Sequence, residues 1–374
     1  MFMKLLLCPM NKKLLRVALV YDRVNKWGGA ERVLLALHEI FPEASLFTSV
    51  YESRKAPWAK VFPEVHTSFL QKIPFAHSNH EFFAPLMPVA FNSFDFSDYD
   101  LVITVTSEAA KGIRVGRKTK HICYCLTPTR YLWSGFNDYF KNPILRFFVK
   151  PFINIHRNWD KEMAKKPDIM VAISSGVKER IKKYYGRSSV VVFPPVGVSM
   201  NRLIDSTKKY YLLVSRLDYG YKKVDLAIKT FNRLKLPLTI VGSGREESEL
   251  KQMADKNIKF VGRVTERKLD EIYRKAKALV MPQEEDFGIV AVEAQARGVP
   301  VIAYKKGGAL DTVIDGKTGL FFGSQTTESL EEAVLRFEKM KFKADNLIRN
   351  SNRFSNEKFG KDFVRIVNNA IKGK

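Results

Sequence analysis

The strongest constraint on the fold is a regular alternation along the chain between short apolar runs and segments with helical periodicity. Apolar runs of about four to eight residues bounded by turn residues are typical of buried strands. Longer segments with apolar residues on successive turns are typical of helices. Because strands that alternate with helices assemble into parallel sheets, the sequence predicts an α/β protein.

Two prolines, Pro194 and Pro195, interrupt this alternation near the middle of the chain. They cannot both lie in a central strand, since proline donates no ladder hydrogen bond. The polar stretch Asn201–Lys209 follows, and then a second α/β series begins. A chain of 374 residues is long enough for two domains of about 150–200 residues each. We therefore expect two doubly wound, Rossmann-like domains, over residues 1–200 and from residue 201 onward, facing across a cleft.

The individual elements follow from the same periodicities. The predicted strands are Arg16–Asp22, Ala44–Tyr51, Leu101–Val105, His121–Leu126, Ile169–Ser174, Tyr211–Arg216, Leu238–Gly242, Lys259–Val264, Ala278–Met281 and Val301–Tyr304. The predicted helices are Glu31–Phe41, Gly176–Tyr185, Val224–Leu234, Glu246–Ala254, Glu266–Ala276, Gly288–Arg297, Leu330–Met340 and Asn356–Ile371. Ligands of such sheets bind at the carboxyl ends of the strands, so functional residues are expected in the loops that follow strands.

Composition limits the class of protein. Apolar residues make up 45% of the chain and charged residues 27%, as in ordinary globular proteins. The net charge of +24 favours anionic partners such as nucleic acid, anionic lipid or phosphorylated substrates, although a generally lysine-rich composition without a specific partner is the alternative. Three cysteines without metal-type spacing indicate a reducing compartment. The run Leu5–Leu7 is too short to span a membrane and lacks a cleavage site, so neither a span nor a signal peptide is expected.

Two acidic residues flank a predicted helix start in the segment Glu285–Glu293. Glu285 lies on the loop after a buried strand, and Glu293 lies on the second turn of the helix that follows. The free N–H groups near Phe287 and Gly288 and the helix dipole favour an anion or sugar hydroxyls. Carboxylates suit polyhydroxylated ligands because their oxygens accept hydroxyl hydrogen bonds. By itself the pair is equally consistent with acidic residues that only complement the helix dipole.

Three further loops follow predicted strands and carry residues suited to binding. Arg216 and Lys222 lie on one loop and can clamp a diphosphate, with Lys223 as an alternative to Lys222. The segment Asn25–Arg32 contains Gly28 and Gly29, which let the backbone approach a ligand closely. The third loop, Tyr124–Trp133, carries Leu126, Arg130 and Trp133; Arg130 and Trp133 are suited to sugar contacts, although aromatic residues there are more often core residues.

With these motifs the chain resembles family 4 of the retaining glycosyltransferases, which have the GT-B fold. The resemblance rests on Glu285-Asp-Phe-Gly-Ile-Val-Ala-Val-Glu293, on Gly298-Val-Pro300, on Gly28-Gly-Ala-Glu-Arg32 and on Gly307–Gly319, and it covers about residues 15–340. Within the family, Glu285-Asp-Phe-Gly-Ile-Val290 together with Tyr124-Cys-Leu-Thr-Pro-Thr-Arg-Tyr131 is most similar to bacterial mannosyltransferases of polysaccharide assembly that use GDP-mannose. The resemblance also implies that a C-terminal helix, residues 355–374, returns to the first domain, so that the second domain ends at residue 354.

The resemblance assigns roles to residues. Glu285, Arg216 and Lys222 would be catalytic, with Arg216 and Lys222 binding the donor phosphates and Glu285 the donor sugar. The Phe287–Gly288 backbone would also contact the sugar, and Glu293 the ribose. The full donor-binding set would be Gly28, Gly29, Arg216, Lys222, Glu285, Asp286, Phe287, Gly288, Ile289 and Glu293. Further sugar or acceptor contacts are expected at Leu126, Arg130 and Trp133. No metal cluster is visible, so metal independence and no cofactor beyond the sugar nucleotide are expected.

One position departs from the family pattern. Leu126 stands where the family has a histidine that contacts the donor sugar near its 6-hydroxyl, and His121 is at best a weak substitute. Three readings follow: a donor with an apolar or absent C6 group such as a deoxysugar, an altered mannosyltransferase, or a catalytically weakened sugar-nucleotide-binding protein. A UDP-sugar donor also remains open. A nucleic-acid binder is a rival suggested by charge alone, without a recognisable module, and an epimerase of the same fold is another.

The segment Phe136–Arg157 mixes aromatic and aliphatic residues with basic ones. The apolar residues include Tyr139, Phe140, Leu145, Phe147, Phe148 and Phe152, and the basic ones are Lys141, Arg146, Lys150 and Arg157. Such a stretch can lie on an anionic bilayer, and an ordinary helix that packs its apolar side on the core is the alternative. We therefore expect a cytoplasmic protein that contacts the inner face of the membrane near a glycan or lipid-linked acceptor, with no nucleic-acid partner.

Overall fold

The structure, a computed structural model, describes residues 15–76, 80–140, 142–197, 208–218 and 220–372. It divides into two units, one formed by Met1–Pro195 with Asn356–Lys374 and the other by Val196–Ser355. The sequence-based boundary at residues 200 and 201 lies beside this division. The run Leu5–Leu7, Cys8 and most of the polar stretch after Pro195 lie outside the described residues.

The first unit contains a seven-stranded parallel sheet with strand order β3-β2-β1-β4-β5-β6-β7. Its strands are β1 (Val17–Tyr21), β2 (Ser45–Thr48), β3 (Val65–Thr67), β4 (Leu101–Thr106), β5 (Lys120–Cys125), β6 (Ile169–Ala172) and β7 (Val190–Val191). Its helices before the second unit are α1 (Gly29–Ile40), α2 (Met87–Asn92), α3 (Phe136–Tyr139), α4 (Pro143–Met163) and α5 (Ser175–Tyr185). Every residue of β1 and β4 is buried, as expected for central strands covered on both faces.

The second unit contains a six-stranded parallel sheet with strand order β10-β9-β8-β11-β12-β13. Its strands are β8 (Tyr210–Val214), β9 (Leu238–Val241), β10 (Ile258–Gly262), β11 (Ala276–Met281), β12 (Val301–Tyr304) and β13 (Gly319–Phe322). Its helices are α6 (Val224–Leu234), α7 (Glu247–Met253), α8 (Glu266–Arg274), α9 (Ile289–Ala296), α10 (Ala309–Thr312), α11 (Thr327–Glu338) and α12 (Ala344–Ser351).

The last helix, α13 (Asn356–Lys372), belongs to the first unit although it follows the second in sequence. Its apolar face packs against β5 and α1. The Tyr124 ring lies 6.0 Å from the Phe359 ring and 6.2 Å from the Phe363 ring, and all three side chains are buried. The α13 segment therefore completes the core of the first unit.

The prediction of a doubly wound α/β fold is confirmed. Every predicted strand occurs, with ends that shift by a few residues. Three short strands, β3, β7 and β13, were not predicted because they have two to four residues each and carry little periodicity. The long helix α4 was not predicted as such, because an aromatic and basic composition obscured its helical period.

Each sheet reverses its strand order at one place. In the first sheet β1 lies between β2 and β4, and in the second sheet β8 lies between β9 and β11. The chain leaves such neighbouring strands toward opposite sides of the sheet, so a crevice opens between the loops that follow them. The reversal points are therefore at the loops after β1 and β4 and after β8 and β11.

One buried histidine gives the first unit a dependence of stability on pH. His121 on β5 is fully buried, and its Nε2 lies 3.1 Å from the Thr104 hydroxyl on β4. Burial, together with the positive charges of Lys166 and Arg187, lowers the pKa of His121 to about 3. In the unfolded chain His121 takes up a proton near pH 6.5, whereas in the folded chain it stays neutral down to about pH 3. The free energy of unfolding therefore falls as the pH falls from about 6.5 toward 3.

We expect the free energy of unfolding of the wild-type chain to fall by about 3 kcal/mol more than that of His121→Gln between pH 7 and pH 4. Chemical denaturation at both pH values measures this difference. The carboxylates common to both chains cancel in the comparison. Parallel pH profiles for the two chains would show that His121 is protonated or exposed in the folded state.

Candidate functional site

Two motifs singled out from sequence lie at the reversal point of the second sheet. The loop after β8 carries Arg216 and Lys222, and the loop after β11 carries Glu285. Because β8 and β11 are hydrogen-bonded neighbours, their carboxyl ends lie at the same edge. The second unit thus has the arrangement in which doubly wound sheets bind ligands.

The centre of this site is an ion pair between the two loops. Lys222 Nζ lies 2.5 Å from Glu285 Oε1, and only 12% and 20% of the two side chains are exposed. Lys222 ends a short 3-10 turn, Gly220–Lys222. Lys223, the alternative from sequence, has a left-handed backbone (φ 54°) at the start of α6. Among the described residues, Lys222 is therefore the lysine of this loop that meets Glu285.

A second donor to Glu285 comes from Gln283, which sequence reasoning missed. Gln283 Nε2 donates to Glu285 Oε1 at 2.9 Å, and the Gln283 side chain is buried. In the sequence, the one feature that could have pointed to Gln283 is its position as a polar residue directly after Pro282, at the end of a buried strand. Glu285 is therefore held by a cation from one loop and by an amide from its own loop.

The backbone of Glu285 is fixed by a pair of glycines. Gly308 N donates to Glu285 O at 2.8 Å, and Glu285 forms a parallel bridge with Gly307. A Cβ on Gly307, which has φ 63°, would lie 2.4 Å from Glu285 O, and one on Gly308 would lie 2.3 Å from Phe287 Cα. Side chains at these positions would displace the loop, so the two glycines set where Glu285 stands.

Helix α9 begins directly after this loop. Gly288 precedes it with φ 87°, a conformation that favours glycine, and Phe287 is buried with its ring 5.4 Å from the Phe354 ring. Glu293 lies on the second turn of α9 and is 8% exposed. The Tyr273 hydroxyl donates to Glu293 Oε2 at 3.0 Å. This partner was not predicted, because Tyr273 comes from α8, at a distance in sequence that carries no signal.

The remaining residues of the predicted donor set lie around this centre. Asp286 and Ile289 are half-buried on either side of the Phe287–Gly288 step. Arg216 is exposed, and within the described part of the chain its guanidinium forms no ion pair. Among the described residues, the structure therefore pairs Lys222 with Glu285, and Arg216 forms no ion pair with Glu285.

The glycine loop of the first unit starts α1. Gly28 is the N-cap of this helix, and a Cβ there would lie 3.1 Å from Glu31 Oε2. Glu31 is buried and accepts a hydrogen bond of 2.7 Å from the Tyr21 hydroxyl at the end of β1. Gly29 is the first residue of the helix. The small residues thus leave room over the helix start, while Glu31 anchors it to the sheet.

The loop after β5 carries the remaining predicted contacts, Leu126, Arg130 and Trp133. Leu126 follows the last residue of β5 and is half-buried, whereas His121 lies near the other end of the strand. The distance along the strand excludes His121 as a substitute at position 126. Arg130 is half-buried. Trp133 stacks on Tyr184 with ring centres 5.0 Å apart.

A buried polar network lies beneath this loop. Lys111 Nζ lies 2.5 Å from Asp160 Oδ1, and both side chains are almost fully buried. Asp160 also accepts from the hydroxyls of Thr129 at 3.1 Å and Tyr185 at 2.8 Å and from Trp133 Nε1 at 2.8 Å. Burial alone would lower the pKa of Lys111, but the Asp160 carboxylate outweighs it and the pKa is raised. Because the Trp133 N–H is used here, its indole contributes to the support of the loop.

Within the described ranges, no group of three or more histidine, cysteine or carboxylate side chains is placed to hold a metal ion.

The fold is that of a two-unit α/β protein of the GT-B type, with a candidate ligand site at the reversal point of its second sheet. Residues 198–354 match the family model described as glycosyl transferases group 1. The resemblance predicted from the motifs is confirmed by this match.

Individual relatives agree with this assignment. A GDP-mannose-dependent monoacylated alpha-(1-6)-phosphatidylinositol monomannoside mannosyltransferase of Corynebacterium glutamicum is 30% identical over 200 residues, which cover 45% of this chain and 52% of that protein. The chain spans about half the length of the curated relatives it matches.

Solved structures are similar over nearly the whole chain. Anabaena HepE in complex with UDP and glucose is similar with a TM-score of 0.70 at 17% identity, covering 95% of this chain and 99% of that one. The lipopolysaccharide outer core galactosyltransferase WaaB has a TM-score of 0.67 at 18% identity, covering 96% and 99%. At sequence identities this low, the structural similarity shows a shared fold and carries no statement about function.

Proposed function

We propose that this chain is a retaining glycosyltransferase that binds a nucleotide-diphosphate sugar at the Lys222–Glu285 pair. The observation that carries the proposal is this ion pair at the reversal point of the second sheet, next to the start of α9. Lys222 supplies a cation for the diphosphate, and Glu285 supplies an acceptor for sugar hydroxyls. The match of residues 198–354 to the glycosyltransferase family supports it independently.

The proposed reaction breaks the bond between sugar C1 and the β-phosphate oxygen and forms a bond from C1 to the acceptor oxygen on the same face. The acceptor proton passes to the leaving diphosphate. Negative charge grows on the β-phosphate, where Lys222 and Arg216 stabilise it, and positive charge grows on the sugar, where Glu285 stabilises it. Since cationic side chains neutralise the diphosphate, we propose that the reaction needs no metal.

For the donor we propose GDP-mannose, with transfer to a glycan or lipid-linked acceptor in surface polysaccharide assembly. The support is the similarity to relatives named as GDP-mannose-dependent mannosyltransferases. A UDP-sugar is the second candidate, supported by the complexes of Anabaena HepE with UDP. A deoxysugar donor with an apolar group at C6 is the third candidate, supported by Leu126, whose side chain neither donates nor accepts a hydrogen bond.

The donor is identified by a thermal-shift screen against GDP-, UDP- and dTDP-sugars, followed by turnover of the donors that bind. We expect the largest shift and turnover with GDP-mannose, both unchanged by EDTA. Turnover of GDP-fucose, GDP-rhamnose or dTDP-rhamnose in its place would assign a deoxysugar enzyme, and turnover of a UDP-sugar would assign the second candidate. Binding without hydrolysis or transfer would make the chain a sugar-nucleotide-binding protein, and loss of activity in EDTA would refute metal independence.

We also propose that α4 in the first unit lies on an anionic membrane surface. Phe147 and Phe148 are 74% and 73% exposed, and Ile144, Leu145, Phe152 and Ile155 are exposed as well. Only Ile153 and Asp160 of this helix are buried. The alternative from sequence, a helix that packs its apolar side on the core, is therefore wrong for most of α4.

The positive charge of α4 is complementary to an anionic membrane surface. Its stretch 143–159 contains Arg146, Lys150 and Arg157 and no acidic residue. Exposed phenylalanines beside basic side chains are typical of helices that lie in the plane of a bilayer, where anionic headgroups meet the cations. Within the described ranges no helix is long and apolar enough to cross a bilayer. As the location we propose the inner face of the cytoplasmic membrane, where anionic headgroups would meet the exposed face of α4.

Phe147→Glu combined with Phe148→Glu is expected to lower binding to anionic vesicles at least about tenfold, because it replaces inserted apolar surface with charges that the headgroups repel. Liposome flotation with and without anionic lipid measures this binding. The matched control is Leu310→Glu with Leu335→Glu, which alters two exposed leucines of the second unit (53% and 49% exposed) by the same charge. Equal flotation of both double variants would contradict the assignment to α4.

A further inference from the structure

The Gln283 amide has one atom in use and one unpaired. Nε2 donates to Glu285 Oε1 at 2.9 Å. Oε1 is buried and accepts no hydrogen bond from the described residues. The orientation is fixed by chemistry, because a carboxylate only accepts hydrogen bonds and therefore requires the NH2 group on its side. Within the described residues, the carbonyl oxygen of Gln283 is therefore a buried acceptor of this site without a donor.

A buried carbonyl oxygen without a donor is uncommon in folded proteins and weakens them unless a ligand or a water supplies the missing hydrogen bond. Gln283 lies beside the ion pair of Lys222 and Glu285, at the edge of the sheet where a ligand is expected. The unmet acceptor is therefore in the right place to be completed by a bound molecule.

The chemistry of the unpaired atom selects which part of a nucleotide sugar completes it. An ionised diphosphate offers only acceptor oxygens, so it cannot donate to a carbonyl. Sugar hydroxyl groups each carry one hydrogen that can be donated. Lys222 therefore suits the phosphates, whereas Gln283 Oε1 and the Glu285 carboxylate form two neighbouring acceptors that suit two sugar hydroxyls.

We propose that Gln283 determines sugar specificity: its carbonyl oxygen accepts a hydroxyl of the donor sugar, while its N–H group orients Glu285 toward a second hydroxyl. This inference rests on the proposed function of the site. The role in orienting Glu285 follows from the hydrogen bonds of its carboxylate, since Lys222 and Gln283 both donate to Glu285 Oε1. The Gln283 N–H keeps the carboxylate in place while the Lys222 ammonium shares its N–H groups between Glu285 and a diphosphate.

The test compares two ligands on the full chain, a nucleoside diphosphate (GDP and UDP) and the matching nucleotide sugar. Gln283→Met keeps the size of the side chain and removes both polar atoms. We expect it to leave the Kd for the diphosphate within about twofold and to lower affinity and kcat/KM for the nucleotide sugar about 10- to 100-fold. Gln325→Met is the matched control. Gln325 Nε2 donates to the backbone oxygen of Pro282, the residue before Gln283, at 2.8 Å.

Two further measurements separate a specific contact from a structural one. The first uses donor analogues that each lack one hydroxyl group. For one analogue we expect a low kcat/KM with the wild-type chain and no further fall in kcat/KM with Gln283→Met, because both changes remove the same hydrogen bond. Gln283→Glu keeps an acceptor but loses the N–H beside Glu285. It should therefore regain activity as pH falls and one of the two adjacent carboxyl groups takes up a proton.

The outcomes divide cleanly. Equal loss of affinity for both ligands, or no loss for either in a variant with an unchanged melting temperature, would overturn the role of Gln283 while leaving the proposed function standing. A wild-type chain that binds neither nucleotides nor nucleotide sugars would overturn the proposed function and this inference with it.

Discussion

Lys222→Ala is expected to lower kcat by at least about a hundredfold. Removing one preorganised charge at a site of developing negative charge typically costs about 2–4 kcal/mol in the barrier. Lys222 is 12% exposed and in contact with Glu285, so its ammonium is held in a site that is partly shielded from water. An ammonium has three N–H groups, which lets it bind a phosphate oxygen while it keeps Glu285.

The adjacent lysine provides the control. Lys223→Ala removes the same charge one residue further along, where the left-handed backbone at the start of α6 gives the side chain another direction. Steady-state kinetics, with the donor that the thermal-shift screen selects, should show a near wild-type kcat for Lys223→Ala. Lys222→Arg should retain part of the rate because it retains the charge. A large loss in Lys223→Ala with a small one in Lys222→Ala would assign the diphosphate to the other lysine.

The elements of this site that sequence could predict are those set by local pattern. Loops after buried strands are recognisable from periodicity, and glycines and charged residues within them mark candidate sites, as for Lys222 and Glu285. Parallel strand order then brings two such loops to one edge. Periodicity does not decide which of two adjacent lysines meets Glu285, because that depends on the backbone conformation at Lys223.

Contacts between distant segments could not be predicted. Tyr273 contacts Glu293 from another helix. The burial of Gln283 Oε1 without a hydrogen-bond donor among the described residues is likewise visible only in the packed structure. The exposure of Phe147 likewise depends on which neighbours α4 has, and a helical period is the same for a buried and an exposed apolar face. Sequence alone therefore located the loops of the site, whereas the partners of its residues came from tertiary structure.

The second large effect is expected from the buried pair Lys111 and Asp160. Removing one partner of a buried ion pair typically costs about 3–5 kcal/mol, because the other charge stays buried without compensation. The two single variants should differ. Lys111→Met leaves a carboxylate that still accepts from Thr129, Trp133 and Tyr185. Asp160→Leu leaves a buried ammonium and strips three donors of their acceptor, so it should cost more.

The double variant Lys111→Met with Asp160→Leu is expected to be more stable than Asp160→Leu alone, since it buries no unpaired charge and the two residues share one interaction. Denaturant unfolding of the wild type, both single variants and the double variant gives the coupling energy. Lys165→Met is the control, because Lys165 pairs with Glu162 at 2.6 Å on the surface, where both side chains are more than half exposed. It should change stability by less than about 1 kcal/mol. Additive losses in the cycle, or Lys111→Met as stable as the wild type, would mean that the Lys111 ammonium is not paired with Asp160 in the folded chain.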